Sequence, residues 1–174
     1  MDEVGDFVGF DVVIGNPPYI SAIELKKQVG DNEYNLYKKI YATAKGTTDI
    51  YVYFFELGTK ILRQDNFLCY ITPNRYLSAN YAIALRKYLI DNFQFIKIGD
   101  YSNVKVFSET ATYPIITLIH KLKNKGNYNF KSFSYIDETS NYCFNEFSSD
   151  NLNYLNDNIL GFVLSSKFSL TKKL

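Results

Sequence analysis

The sequence predicts an α/β chain, and three observations carry that prediction. Short runs rich in β-branched and aromatic residues (Phe10 to Ile14, Phe67 to Thr72, Phe93 to Ile98, Tyr113 to His120) read as strands. Two segments between them, Ile50 to Leu62 and Tyr81 to Asn92, repeat apolar residues at helical spacing. The order helix, tight turn, strand, proline is what a crossover between parallel strands requires. At 174 residues, with 47% hydrophobic and 17% aromatic residues, the chain can bury a core and is not disordered.

The elements follow in order. Residues 1–9 are polar, contain glycine and are too few to form a domain. Phe10 to Ile14 reads as a buried parallel strand. It ends in Gly15-Asn16-Pro17-Pro18-Tyr19, where two prolines cannot continue a sheet ladder, so the chain must leave the sheet. In an open α/β sheet, ligands bind beyond the carboxyl ends of the strands, so this stiff loop holds Asn16 and Tyr19 over such a crevice. Residues 20–46 form a long excursion, in part helical, with Tyr34, Tyr37 and Tyr41 on one face and lysines between them. An excursion of this length after a functional loop is often a lid. Its basic and aromatic residues suit either a phosphate backbone or an ordinary solvated amphipathic face.

Thr47-Thr48-Asp49 reads as a hydroxyl cap and a first-turn acid, opening the helix Ile50 to Leu62 with Ile50, Phe54, Leu57 and Ile61 inward. Arg63 to Asn66 is a turn, and Phe67 to Thr72 a second buried strand. Tyr81 to Asn92 is a helix with Tyr81, Leu85, Tyr88 and Leu89 inward, followed by the third strand. Asn103 to Ser108 is a loop before the fourth. Lys123 to Asn127 reads as a turn or linker and Tyr128 to Ile136 as strand-like. Asp137 to Asp150 is polar with scattered aromatics, and Asn151 to Leu164 is ambiguous.

Composition excludes some functions. The net charge of +1 announces no global basic field, though a local groove is compatible with it. Cys69 and Cys143 are too few for a disulfide framework, and no cluster suggests a metal. His120 is the only histidine and lies in an apolar run, a structural setting. No signal peptide and no stretch of membrane-spanning length is visible, so no membrane partner is expected and a cytoplasmic location is the default.

The loop's atoms suggest chemistry on a flat amine such as the exocyclic amine of adenine. That amine is a poor nucleophile because its lone pair is delocalised. Two acceptors, each taking one N–H, would pull it towards a reactive tetrahedral geometry. The Asn16 side-chain oxygen and the Pro17 carbonyl are the candidates, and Tyr19 can stack on the ring.

Asn16-Pro17-Pro18-Tyr19 after a hydrophobic strand resembles the catalytic motif of amino-group methyltransferases that use S-adenosylmethionine. The tetrad is shared by enzymes that methylate adenine in DNA, bases in RNA or a glutamine amide in protein. Three downstream stretches, Asp49-Ile50-Tyr51-x-x-Phe54, Pro73-Asn74-Arg75-Tyr76-Leu77 and Val106-Phe107, are similar to the pattern of TaqI-like N6-adenine DNA methyltransferases. The layout is most like the methyltransferase parts of type IIG restriction–modification enzymes. The resemblance implies a partial Rossmann-like methyltransferase fold, strands four to seven with flanking helices, over residues 1–122. Residues 123–174 would lead towards a target-recognition domain. It implies catalytic roles for Asn16, Pro17 and Tyr19, stacking of a flipped base by Tyr19 and Phe107, and cofactor contacts from Asn16, Pro18 and Phe54. Double-stranded DNA is the implied partner, and no metal is needed.

One departure qualifies the likeness. Nothing in residues 1–9 can supply the Gly-rich cofactor loop and acidic ribose-binding residue that family members carry upstream. The expectation is therefore a fragment, inactive alone, that lacks an N-terminal part of the same protein and leaves an unpaired sheet edge able to dimerise. The alternatives are an RNA or protein-amide methyltransferase and a non-catalytic nucleic-acid-binding remnant.

Overall fold

The computed structural model describes residues 4–107, 113–136 and 141–164. The elements are β1 (Phe10–Gly15), α1 (Ala22–Ile40), α2 (Ile50–Ile61), β2 (Leu62–Pro73), α3 (Ile83–Asn92), β3 (Gln94–Asp100), β4 (Pro114–Lys121), β5 (Asn129–Tyr135) and β6 (Tyr142–Ser148). Short 3-10 turns lie at 74–77 and 80–82 and through most of 149–164. The six strands form one sheet in the order β1-β2-β4-β3-β5-β6. β1 runs parallel to β2 and β3 to β5, whereas β4 is antiparallel to both its neighbours. This is the mixed α/β architecture expected from the sequence. The strand not legible there is β6, whose aromatics Tyr142, Phe144 and Phe147 do not keep a period of two and of which only Phe147 is buried.

The main core lies between the sheet and α2 with α3. Leu68, Phe95, Ile98, Ile115 and Ile119 meet Phe55, Leu85 and Leu89, all with essentially no exposure. Beneath the C-terminal turns, Phe130, Phe147, Leu152 and Leu160 continue the same core, so β5 and β6 are packed as part of it. Gly58 of α2 crosses β2 so closely that a Cβ would sit 2.3 Å from the Tyr70 hydroxyl. His120 stacks on Phe67 with ring centroids 4.2 Å apart, in keeping with a structural role. Cys69 and Cys143 are free thiols.

Four expectations are corrected. First, β1 is parallel but not buried. It lies at the sheet edge, and Phe10, Val12 and Ile14 are 53%, 58% and 78% exposed. Its apolar run gives no sign of which strands would flank it. Second, the buried face of α2 is Tyr51, Val52, Phe55, Gly58 and Thr59. Ile50, Phe54 and Ile61 are half-buried and Leu57 is exposed. The polar residues of the helix, Glu56, Thr59 and Lys60, lie opposite the expected face, but Glu56 and Thr59 are buried there, so periodicity selected the wrong face. Third, the cap of α2 is Asp49 itself, without a side-chain capping bond. The Thr48 hydroxyl donates to the Lys45 carbonyl instead. Fourth, Arg63–Asn66 does not separate helix from strand. β2 begins at Leu62, and these residues bulge out of its ladder: Phe10 pairs with Leu62 and Val12 with Phe67, with Asp65 at φ 62°.

The excursion after the proline loop is ordered. α1 breaks at Gly30 (φ 80°), and its tyrosine face folds inward. Tyr34, Ala22, Leu25, Ala44 and Tyr53 form a small second core, with Tyr37 and Tyr41 set edge-on to Tyr53. Tyr34 is thus committed to packing, while Tyr37 and Tyr41 are half-buried against Tyr53.

Two buried ions hold this arrangement. Glu56 on α2 accepts from the Ala42 and Thr43 amides (3.1 and 2.8 Å), the Thr43 hydroxyl (2.8 Å) and Lys60 Nζ (2.7 Å). Burial raises its pKa, but the hydrogen bonds from Lys60, Thr43 and Ala42 outweigh that and hold it below the usual glutamate value. Arg86, fully buried, donates to the carbonyls of Tyr76 (2.8 Å), Ala79 (2.7 Å) and Asp157 (3.0 Å), joining α3 to the C-terminal turns.

Because the folded pKa of Glu56 lies below its unfolded value, its stabilisation is complete above the unfolded value and is lost as pH falls through the folded one. Urea unfolding should find Glu56→Gln less stable by about 2 kcal/mol at neutral pH, the gap closing as pH falls through the folded-state value, below the usual glutamate range. Arg86→Met should cost about 3 kcal/mol and make residues 149–164 the first site of limited proteolysis.

Candidate active site

Parallel pairing of β1 with β2 sets the carboxyl end of β1 beside that of β2, and both strands end at proline corners. After Gly15 the chain leaves the sheet as the sequence requires. Pro17 is buried, Tyr19 is half-buried, and Asn16 and Pro18 are exposed. Tyr19, Ser21, Asp49, Tyr51, Asn74 and Arg75, with Pro73 and Tyr113, line a cavity of about 280 Å³. It is walled by the proline loop, the start of α2 and the end of β2. The Asn74 amide donates to the Tyr113 carbonyl (2.8 Å), closing the far wall.

Of the residues singled out from sequence, Tyr19 and Phe107 are brought together from loops remote in the chain. Their ring centroids are 6.1 Å apart and their planes 84° apart, an edge-to-face contact. The Tyr19 hydroxyl is buried without a hydrogen-bond partner among the described residues, and burial raises its pKa. Phe54 is not part of this cluster. It lines a separate groove of about 370 Å³ between α1 and α2, with Val29, Tyr37, Tyr41, Tyr53 and Leu57. Among the described residues, no charged side chain lines that groove. Asn16 and Pro18 sit at the exposed corner and line neither space.

The sequence reading missed most of the first cavity's polar lining: Ser21, Asp49, Tyr51, Asn74, Arg75 and Tyr113. Asp49 and Asn74-Arg75 lie in stretches singled out for their motif pattern, but nothing local indicates that they converge. Asp49 accepts from the Ala22 amide (3.3 Å) and from the Tyr81 hydroxyl (2.9 Å), and Tyr81 shares a hydrogen bond with Tyr51 (2.6 Å). Burial above all, with the Asp49 charge adding to it, pushes both phenols well above the usual tyrosine range, so they remain neutral at any working pH. Ser21 caps α1 by accepting from the Glu24 amide (3.3 Å). Among the described residues no three histidine, cysteine or acidic side chains are grouped to hold a metal, and no helix is long and apolar enough to cross a membrane.

The order and direction of the strands give a partial Rossmann-like fold, which solved methyltransferases share at low sequence identity. The family model for the Eco57I restriction-modification methylase matches residues 1–107, and the chain belongs to that family. It is 34% identical over 121 residues to the type II restriction enzyme and methyltransferase RM.Eco57I of Escherichia coli, covering 70% of this chain and 12% of that protein. The type IIG restriction endonuclease BpuSI superposes on 97% of this chain and 22% of its own, with a TM-score of 0.64 at 17% identity. The methyltransferase subunit of a type I restriction-modification system from Streptococcus thermophilus covers 82% of this chain and 30% of its own, with a TM-score of 0.53 at 15% identity. The chain therefore spans a small part of the proteins it resembles.

The unpartnered hydroxyl gives a direct check on the geometry. Tyr19→Phe should leave unfolding free energy within about 0.5 kcal/mol of the parent, whereas Tyr76→Phe should lose about 1 kcal/mol, because Tyr76 and Thr117 share a buried hydrogen bond.

Proposed function

We propose that this chain supplies the target-base side of a DNA methyltransferase that modifies the exocyclic N6 of adenine, with S-adenosylmethionine as methyl donor, within a restriction–modification system. The observation that supports this reading most is the meeting of Tyr19 and Phe107, two aromatic rings from distant loops, beside the diproline corner. Family membership and strand order supply the class of reaction, and the two rings supply a planar substrate.

In this reading Asn16 and the Pro17 carbonyl accept the two N–H bonds of the amine and localise its lone pair. Pro17 and Pro18 fix φ, so the carbonyl is held without reorganisation during the reaction. Tyr19 and Phe107 stack on opposite faces of a flipped adenine. A base between parallel rings needs them about 7 Å apart, twice an ordinary contact distance. The edge-on pair must therefore open, one ring turning through most of a right angle. The groove beside Phe54 fits the flat adenosine end of the donor, since it is apolar and aromatic-walled. Phe54, with Asn16 and Pro18 at the corner, would hold the donor from this side. When bound, S-adenosylmethionine supplies an electrophilic methyl on sulfonium. We assign the exposed edge of β1 to the cofactor-binding part of the same protein. Residues 123–174 are assigned to the approach towards target recognition.

The test uses the intact protein and labelled methyl transfer to DNA, RNA and protein in parallel. Transfer to adenine in DNA is expected, and Asn16→Ala should lower it by about a hundredfold or more while leaving circular dichroism unchanged. Near-parental transfer by Asn16→Ala, or label in RNA or protein alone, would overturn the assignment.

A further inference from the structure

The loop that presents Tyr19 needs something to hold it, because prolines fix φ but not where the loop ends. Its exit is tied twice to the start of α2. The Ile50 amide donates to the Ile20 carbonyl (3.0 Å), and the Ala22 amide donates to Asp49 Oδ1 (3.3 Å). Ala22 is the first residue of α1, and its amide is one of those a helix start leaves without an internal partner. Asp49 is at the cap position of α2 yet makes no capping bond to its own helix. Its second oxygen receives the Tyr81 hydroxyl, which is joined in turn to Tyr51 in the buried face of α2. A carboxylate that could have capped α2 instead spans the gap between the loop exit and the core. Asp49, Tyr51 and Tyr19 line the same cavity.

We propose that Asp49 is a positioning residue for the target base: through the Ala22 amide on one side and the Tyr81–Tyr51 hydroxyl pair on the other, it fixes the end of the loop that carries Asn16 and Tyr19. The proposal rests on the adenine-methyltransferase reading and adds to it a residue that does not touch the reacting amine. It also predicts which replacements work. Asparagine keeps an oxygen for the Ala22 amide, and its NH₂ can donate to Tyr81, which still reaches Tyr51. Alanine keeps neither link.

The test uses the intact protein with Asp49→Ala, Asp49→Asn, Tyr81→Phe and the double variant. Asp49→Ala should lower kcat for DNA methylation roughly tenfold with a smaller change in KM, because the loop is displaced by fractions of an ångström and not lost. Asp49→Asn should recover most of that rate. The double variant should be no slower than Asp49→Ala alone, since both substitutions cut one chain of contacts. Fluorescence of 2-aminopurine at the target position should change in Asp49→Ala, reporting a base no longer stacked as before. Hydrogen exchange of the segment holding Ile20 to Leu25 should speed up in Asp49→Ala while β2 and β4 keep their protection. Exchange needs no catalysis, so it judges the tether even if the parent protein transfers no methyl to adenine. A lowered melting temperature with unchanged kcat, unchanged fluorescence and unchanged exchange at Ala22 would reduce Asp49 to a stabilising contact and overturn the proposal. So would additive losses in the double variant. Should Asp49→Ala fail to fold, Tyr81→Phe, which removes one hydroxyl, carries the same rate and exchange comparison.

Discussion

Two consecutive prolines end β1, and the surroundings of the cavity follow from where they send the chain. A backbone that cannot continue the ladder turns away at the carboxyl end of the parallel pair, buries Pro17 and delivers Tyr19 to the cavity wall. It must then return to reach α2. The return is long, and α2 secures both of its ends with acids two helical turns apart: Asp49 at the departure and Glu56 at the arrival. Between these points α1 bends at Gly30 and packs its tyrosines on Tyr53. An excursion that composition alone suggests as a lid is thereby fastened at its ends.

The sequence revealed the elements better than their neighbours. Five of the six strands and the helices α2 and α3 were legible because each is a local pattern of apolar spacing or turn residues. Sheet order was not, since nothing in β4 says that it enters antiparallel between β2 and β3. Exposure of β1 was hidden for the same reason: an apolar run looks alike in the middle of a sheet and at its rim. The face of α2 was misread because Ile50, Phe54 and Leu57 are as apolar as Tyr51, Val52 and Phe55, while the polar residues opposite them include Glu56 and Thr59, which are buried.

The site was half visible. Asn16 to Tyr19 stood out because proline pairs are rare punctuation with a fixed geometric effect, and Phe107 was reached through its motif. Their meeting at 6.1 Å is a tertiary fact that spans nearly ninety residues of chain. The polar residues that complete the cavity were out of reach. Asp49 reads locally as an ordinary first-turn acid, and only the fold shows that its carboxylate serves another helix. Arg86 likewise looks like a surface cation on α3, yet three backbone carbonyls solvate it in the interior.

The position of β4 has a consequence for how the chain is made. β2 and β3 are synthesised before the strand that lies between them, and each keeps a row of unmet amides and carbonyls until β4 emerges. The sheet therefore cannot assemble in the order of translation. A nascent chain that has passed Asp100 but not Lys121 presents two apolar strands with a slot between them, the form most open to intermolecular strand capture and to chaperone engagement.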